Sequence, residues 1–404
     1  MLDFLKSTYQ RLITELNITT HRYLYEKFHI KNRLTGIVGP RGTGKTTLML
    51  QYIKNNLYNK GKTFYFSADN IYFHKTSLLE FIANLYQSED IRIFFIDEIH
   101  KYANWHQELK NIYDAFPAIK VVFSGSSSID LVKGSYDLSR RAKLFRMAGL
   151  SLREYINFST KDTIPAITFS ELQKNYHEHA ALCAQIPKIK GHFQKYLARG
   201  YYPFLFEDED SYQEKVLRMI DKTIYEDIVN YYDLKTTNLN NFKRILMFLA
   251  TSLPGNVSTN NLAQNLSIDH KTAANYLHIL AESGLIRLLY TAATGSKILR
   301  KPEKSFLHNT TLLHVLLNNH PLTTNIGVMR ELFFVQNIID SGLNIFHNNN
   351  GDFQINDLVF EIGGKNKTRQ QLKQITDTTA FLVKDDILAS SNKTIPLHCF
   401  GFLY

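Results

Sequence analysis

Eight residues, Gly39-Pro-Arg-Gly-Thr-Gly-Lys-Thr, limit the folds open to this chain more than any other stretch. They fit the pattern G-x-x-x-x-G-K-[ST]. Before them stands a short apolar run, Leu34-Thr-Gly-Ile-Val, and after them Thr47-Leu-Met-Leu-Gln-Tyr-Ile, with apolar positions at helical spacing. Strand, glycine-rich turn and helix form the setting in which such a loop cradles phosphate. The glycines let backbone N–H groups turn inward on anionic oxygens. The helix N-terminus adds a partial positive charge. Gly39, Pro40, Arg41, Gly42, Thr43, Gly44, Lys45, Thr46 and Thr47 are therefore the expected contacts to ATP. Lys45 is expected to reach the β- and γ-phosphates, and the Thr46 hydroxyl to ligate Mg²⁺.

A second motif completes the first. Phe94-Phe-Ile-Asp-Glu is an apolar run ending in two carboxylates. Adjacent acids after a buried strand are costly unless they face a cation or a reacting water. Asp97 is expected to hold the Mg²⁺ shell, directly or through water, and Glu98 to orient and polarise the attacking water. Val121-Val-Phe-Ser-Gly-Ser-Ser is a further buried run ending in hydroxyls. Strand C-termini line the ligand crevice of a parallel sheet, so Ser124 or Ser126 is a candidate to touch the γ-phosphate or the water. The alternative is a simple helix N-cap. Ser139-Arg-Arg offers Arg140 or Arg141 to a neighbouring subunit's γ-phosphate; a surface helix end or salt bridge is the competing reading.

The first 150 residues alternate strand and helix patterns. Thr63-Phe-Tyr-Phe-Ser, Ile91 to Ile96, Ile119 to Ser124 and Ala142 to Met147 read as strands. Ser77 to Gln87 reads as a helix capped by Ser77, and Glu108 to Ala115 as another. This alternation implies a parallel sheet with helices on both faces. From Ser151 the spacing turns helical through Tyr155, Phe158, Leu172 and Leu182, as in a helical lid. Leu262-Ala-Gln-Asn-Leu, a Ser267-Ile-Asp turn and His270 to Leu280 make a helix-turn-helix pattern, with Gly284 to Tyr290 as a wing. The remainder mixes a helix, Met329 to Ile339, with strands near Ile345, Leu358 and Phe381.

Composition narrows the function classes. With 44% hydrophobic residues in 404, the chain has material for roughly two to four packed domains. Its formal charge of +10, from 47 Lys and Arg against 37 Asp and Glu, is compatible with nucleic acid, acidic partners or anionic lipid. The two cysteines, Cys183 and Cys399, make neither a disulfide framework nor a metal cluster, and fit a reducing compartment. The N-terminus has an early acid and no apolar core, so no signal peptide is expected. No run of roughly 18 apolar residues suggests a membrane span. A cytoplasmic location is the expectation.

Gly39-Pro-Arg-Gly-Thr-Gly-Lys-Thr-Thr, Phe95-Ile-Asp-Glu-Ile-His, Phe123-Ser-Gly-Ser-Ser and Leu150-Ser-Leu-Arg-Glu-Tyr together resemble a prokaryotic AAA+-superfamily ATPase. The group most similar carries a C-terminal domain related to restriction-type nucleases. His21-Arg-Tyr-Leu-Tyr, Tyr196-Leu-Ala-Arg-Gly-Tyr-Tyr-Pro and Glu361-Ile-Gly-Gly-Lys are further landmarks. The resemblance implies an α/β chain: a P-loop ATPase sheet in the order 5-1-4-3-2 over residues 1–150, a helical lid over 151–235, a winged helix-turn-helix over 236–300, and a nuclease-like α/β domain over 301–404. Many such ATPases are homo-oligomers.

The second half carries the expectations about DNA. On the candidate recognition helix, Lys271, Thr272, Asn275 and His278 can donate to phosphates or base edges, while Ala273, Ala274, Leu277 and Leu280 pack inward. Use of this segment for subunit packing is the alternative. Lys297, Arg300, Lys301 and Lys304 form one basic stretch, and Lys365, Lys367, Arg369 and Lys373 another. A restriction-type site needs acids to place Mg²⁺ and a lysine near the attacking water, usually an Asp and then Glu-x-Lys. Here Asp352 precedes Glu361-Ile-Gly, so Gly363 stands in the lysine position and Lys365 is the candidate substitute. Glu331 is a candidate extra ligand. The altered motif marks this as a possible vestigial site. Three functions compete: an ATP-hydrolysing switch acting on or with DNA, an ATP-gated nuclease, and a non-catalytic DNA-binding regulator.

Overall fold

A computed structural model describes residues 2–17, 19–58, 61–125, 138, 140–232, 234, 238–292, 302–318, 325–374 and 379–404. Ser126, Ser139, Lys297, Arg300 and Lys301 lie outside the described residues, as does the side chain of Lys373. The chain divides into two compact units, Met1–Ala148 and Gly149–Tyr404, each with a core of its own.

The first unit is built on five strands: β1 (Leu34–Val38), β2 (Thr63–Ser67), β3 (Ile93–Asp97), β4 (Lys120–Gly125) and β5 (Ala142–Arg146). All pairs are parallel and the order is β2-β3-β4-β1-β5, the expected 5-1-4-3-2 read from the opposite edge. Every residue of β1 is buried, as a central parallel strand must be. Register pairs Leu34 with both Val121 and Ala142. This brings the C-terminal ends of β1, β3 and β4 to one edge, where an open α/β sheet binds ligands. The helix Leu2–Thr14 buries Leu5, Tyr9 and Ile13. Their spacing of one turn makes a single apolar stripe, set against the helix Lys45–Asn56 and β2. The helix Leu78–Glu89 is capped by Ser77, whose Oγ accepts the Glu80 N–H at 3.1 Å.

The second unit begins with helices Leu152–Thr160, Phe169–Lys174, Tyr176–Gln185 and Ile189–Arg199. Helix Tyr212–Lys222 continues through a π-turn, Thr223–Ile228. Leu239–Thr251 follows, then Thr259–Leu266 and His270–Glu282, joined by a tight turn in which Ser267 is left-handed and Asp269 caps the second helix. Strands β6 (Ile286–Leu289) and β7 (Lys304–Leu307) form an antiparallel pair. Helices Thr310–Asn318 and Ile326–Asp340 lead into a five-stranded sheet. Its strands are β8 (Phe346–His347), β9 (Phe353–Ile355), β10 (Leu358–Gly363), β11 (Ala380–Lys384) and β12 (Thr394–Pro396). They run in the order β12-β11-β10-β9-β8. β8, β9 and β10 are an antiparallel meander, whereas β10, β11 and β12 are parallel. Leu152, Phe242, Phe306, Phe333 and Phe400 share one core.

That core is tied by buried polar groups. Arg287 donates to Asp340 at 2.7 Å, with both side chains nearly inaccessible. The hydroxyls of Tyr201 and Tyr404 also reach Asp340. A buried charge needs such partners to offset its desolvation. Cys183 and Cys399 are both buried and their thiols adjoin, which together with burial raises the Cys399 pKa.

Candidate nucleotide site

The loop after β1 owes its path to glycines under two kinds of demand. Gly42 and Gly44 have φ of 76° and 93°, a left-handed backbone that residues with a Cβ rarely adopt. Gly39 is needed for room: a Cβ there would lie 2.1 Å from the Met147 carbonyl oxygen. Met147 is drawn in because its N–H donates to Val38 O at 2.7 Å. Inside the loop, Thr43 Oγ1 donates to Pro40 O at 3.0 Å. Lys45 Nζ donates to Gly39 O at 2.9 Å and Pro40 O at 2.8 Å. From outside, the buried guanidinium of Arg22 donates to Thr43 O and, at 2.8 Å, to Ala148 O. The sequence marks Arg22 only as part of a landmark; nothing in spacing signals that it braces the loop.

Asp97 is the point where the motifs meet. Its Oδ2 accepts the Thr46 hydroxyl at 2.6 Å and the Tyr65 phenol at 3.0 Å, and its Oδ1 accepts the Ser124 hydroxyl. Three hydroxyls thus solvate a carboxylate that is only 4% exposed, as a buried anion requires. Burial, and then the adjacent Asp97 charge, raise the Tyr65 pKa well above the usual phenol range, so it stays a donor. Ser124 also accepts the Glu98 N–H at 3.0 Å. Its hydroxyl therefore serves the acid pair itself. Glu98 has φ 51°, a left-handed conformation. Its Oε2 lies 3.3 Å from Nε2 of the buried His100.

Arg140 is exposed in a turn. Arg141 Nη2 is 3.6 Å from Asp114 Oδ1, and its guanidinium lies over the Tyr113 ring at 5.6 Å.

The acids expected at the vestigial site do gather, but around different lysines. Lys304 Nζ is 2.8 Å from Glu331 Oε2 and 3.5 Å from Asp352 Oδ1, so this lysine faces inward and is no part of an exposed basic stretch. Asp352 Oδ2 accepts the Ile362 N–H at 2.8 Å. Lys365 is exposed and takes no place in the cluster. Lys367 does: its Nζ pairs with the buried Glu361. A Cβ on Gly363 would meet the Lys367 stem at 2.5 Å, so this stem fills the space beside the glycine. Burial chiefly raises the pKa of Glu331 and Glu361, with Asp352 adding and the lysines opposing. Among the described residues, no group of three or more His, Cys, Asp or Glu side chains is disposed to hold a metal ion.

On the helix His270–Glu282, Ala273, Leu277 and Leu280 are buried, and Ala274 is half-buried. Lys271, Asn275 and His278 are exposed, whereas the Thr272 hydroxyl is spent on the capping Asp269. Among the described residues, no helix is long and apolar enough to cross a membrane.

Residues 31–156 match the family model described as "AAA domain", and residues 190–323 match one described as "Domain of unknown function (DUF8612)". The "Uncharacterized protein MJ1637" of Methanocaldococcus jannaschii is 29% identical over 293 residues, 68% of this chain and 60% of that protein. The chain thus spans less than two thirds of that relative's length. Among solved structures, AMPPCP-bound DnaA from Aquifex aeolicus is similar over 69% of this chain and 88% of its own, at 15% identity and a TM-score of 0.28. A structure described as "Structural Basis for Katanin Self-Assembly" is similar over 40% of this chain and 57% of its own, at 19% identity and a TM-score of 0.27. The phosphate loop, Asp97, Glu98 and Ser124 all fall within the stretch, residues 31–156, that matches the AAA domain model.

Proposed function

We propose that the chain binds Mg·ATP at the loop Gly39–Thr47 and hydrolyses it, using the loss of the γ-phosphate as a conformational switch in work on or with DNA. The observation that carries the reading is the joining of Thr46, Asp97 and Ser124 through one carboxylate, with Glu98 next in line. Thr46 Oγ1 and the Asp97 carboxylate are hard oxygen donors of the kind Mg²⁺ takes. When bound, the ion neutralises charge on the β- and γ-phosphates. Backbone N–H groups of the loop and the Lys45 ammonium bind the triphosphate. The Glu98 carboxylate orients a water whose oxygen attacks the γ-phosphorus as the bond to the β-phosphate oxygen breaks, yielding ADP and phosphate. Replacing Glu98 by Gln keeps the shape and removes the carboxylate. Retained Mg·ATP binding with lost turnover is the expected result; turnover equal to wild type sinks the role given to Glu98.

DNA binding has its own support. Two helices joined by a turn and followed by the β6–β7 pair follow the layout of a winged helix. Their exposed Lys271, Asn275 and His278 sit on a chain of charge +10. Phosphate contacts make affinity fall steeply with salt. Equal retention of wild type and Lys271→Glu on duplex DNA removes this part. Cleavage is the weaker reading, because Lys304 lies between Glu331 and Asp352 and the acids are not disposed as a metal site. The arginine in trans is weakened too, since Arg141 is engaged by Asp114 and Tyr113.

A further inference from the structure

We propose that His100 is a positioning residue for the catalytic carboxylate of Glu98; this rests on the ATPase reading above. Residues two apart in a helix point away from each other. Here Glu98 is left-handed, at φ 51° and ψ 41°, and the chain enters a 3-10 turn over Ile99–Lys101. The bend brings residues 98 and 100 to the same side. His100 Nε2 then lies 3.3 Å from Glu98 Oε2. The turn is fixed by the Lys101 N–H donating to Glu98 O at 2.9 Å and by the fully buried Ile99. The Glu98 backbone is fixed separately by the Ser124 hydroxyl.

The burial of the pair suits this role. The imidazole is 4% exposed, whereas the Glu98 side chain is 25% exposed. One side chain is shielded from solvent and the other is reachable by water. A glutamate has three side-chain torsions, and freezing them costs conformational entropy at every turnover unless the protein has done so beforehand. An imidazole nitrogen set against one carboxylate oxygen leaves the other to face the water. A backbone held in the sparse left-handed region by its surroundings is characteristic of pre-organised sites. The Asp-Glu-Ile-His run, in which the sequence offers the first two residues for chemistry, thus supplies a third.

The test compares wild type, His100→Ala, His100→Gln, Glu98→Gln and the double variant Glu98→Gln/His100→Ala, each in the full chain, for Mg·ATP binding and for phosphate release. A catalytic group displaced by about an ångström loses on the order of 100-fold in rate. The expected result is a fall in kcat of roughly ten- to a hundred-fold for His100→Ala, with KM for ATP within about twofold, since His100 is not on the phosphate loop. His100→Gln, with an amide N–H in place of the imidazole, recovers most of that loss. In the Glu98→Gln background the same Ala change has no further effect on turnover. An unchanged kcat in His100→Ala, or a rise, overturns the proposal, as does equal damage from Ala and Gln. Absence of Mg·ATP binding or turnover by wild type instead overturns the ATPase reading and the proposal with it.

Discussion

Thr46 Oγ1 donates to Asp97 Oδ2 over 2.6 Å, across 51 positions of sequence. A residue in the first turn of the helix Lys45–Asn56 is thereby bonded to the end of β3. Because both are also the proposed metal ligands, Thr46→Ala should weaken nucleotide binding mainly when Mg²⁺ is present. A hydrogen bond to a charged group contributes about 1.5–3 kcal/mol. ATP affinity should therefore fall roughly 10- to 100-fold in Mg²⁺. In EDTA, affinity should match wild type. Calorimetric titration under both conditions checks this.

Arg22 supplies a second point of control. Its guanidinium donates to Thr43 O and Ala148 O in a buried setting. Arg22→Ala leaves both carbonyls without that donor, at a cost of about 1–3 kcal/mol each. A lower urea midpoint of the first unit is expected, together with weaker ATP binding. A variant with wild-type stability and affinity contradicts the bracing role.

Stability in acid should depend on His398. Burial lowers its pKa from 6.5 to about 4. Between those values the unfolded chain takes up a proton that the folded chain excludes. The stabilisation is therefore fully present above pH 6.5 and is lost as pH falls toward 4. Its size is about 3 kcal/mol. The buried His308, whose pKa is also lowered by burial and then by Arg287, acts in the same direction. Urea unfolding of the second unit at pH 7 and 4.5 should show the loss, and His398→Gln should flatten it.

Three lysines near the acidic cluster should respond unequally. Lys304→Met strands Glu331 and Asp352, and Lys367→Met strands Glu361; each should destabilise by about 2–4 kcal/mol. Lys365→Met removes an exposed charge and should change stability by no more than about 0.5 kcal/mol. Denaturant unfolding of the three variants separates the two classes.

The contrast among those lysines shows what a sequence can convey. The phosphate loop, the strand before it and the acid pair are local patterns, so Gly39 to Thr47 and Asp97 could be read directly. The sheet order came from resemblance and holds. Lys367 could not be read, because its arrival beside Gly363 depends on the turn after β10. Lys304 reads as one more surface cation until β7 sets it between two acids. Cys183 and Cys399 read as isolated because nothing local encodes a meeting across the second core. Ser124 was legible as a strand-end hydroxyl, but its partners depend on the register of β3 against β4.

The crowding of Gly39 by Met147 separates two ways in which the phosphate loop can be damaged. Asparagine tolerates left-handed backbone better than other residues with a side chain, so Gly44→Asn relieves part of the fault that Gly44→Ala creates. At Gly39 no choice of side chain helps, since the obstacle is the Met147 carbonyl, just beyond β5, 2.1 Å from any first carbon. One glycine is held by handedness and the other by volume, and only the first kind leaves mutation a chemical escape.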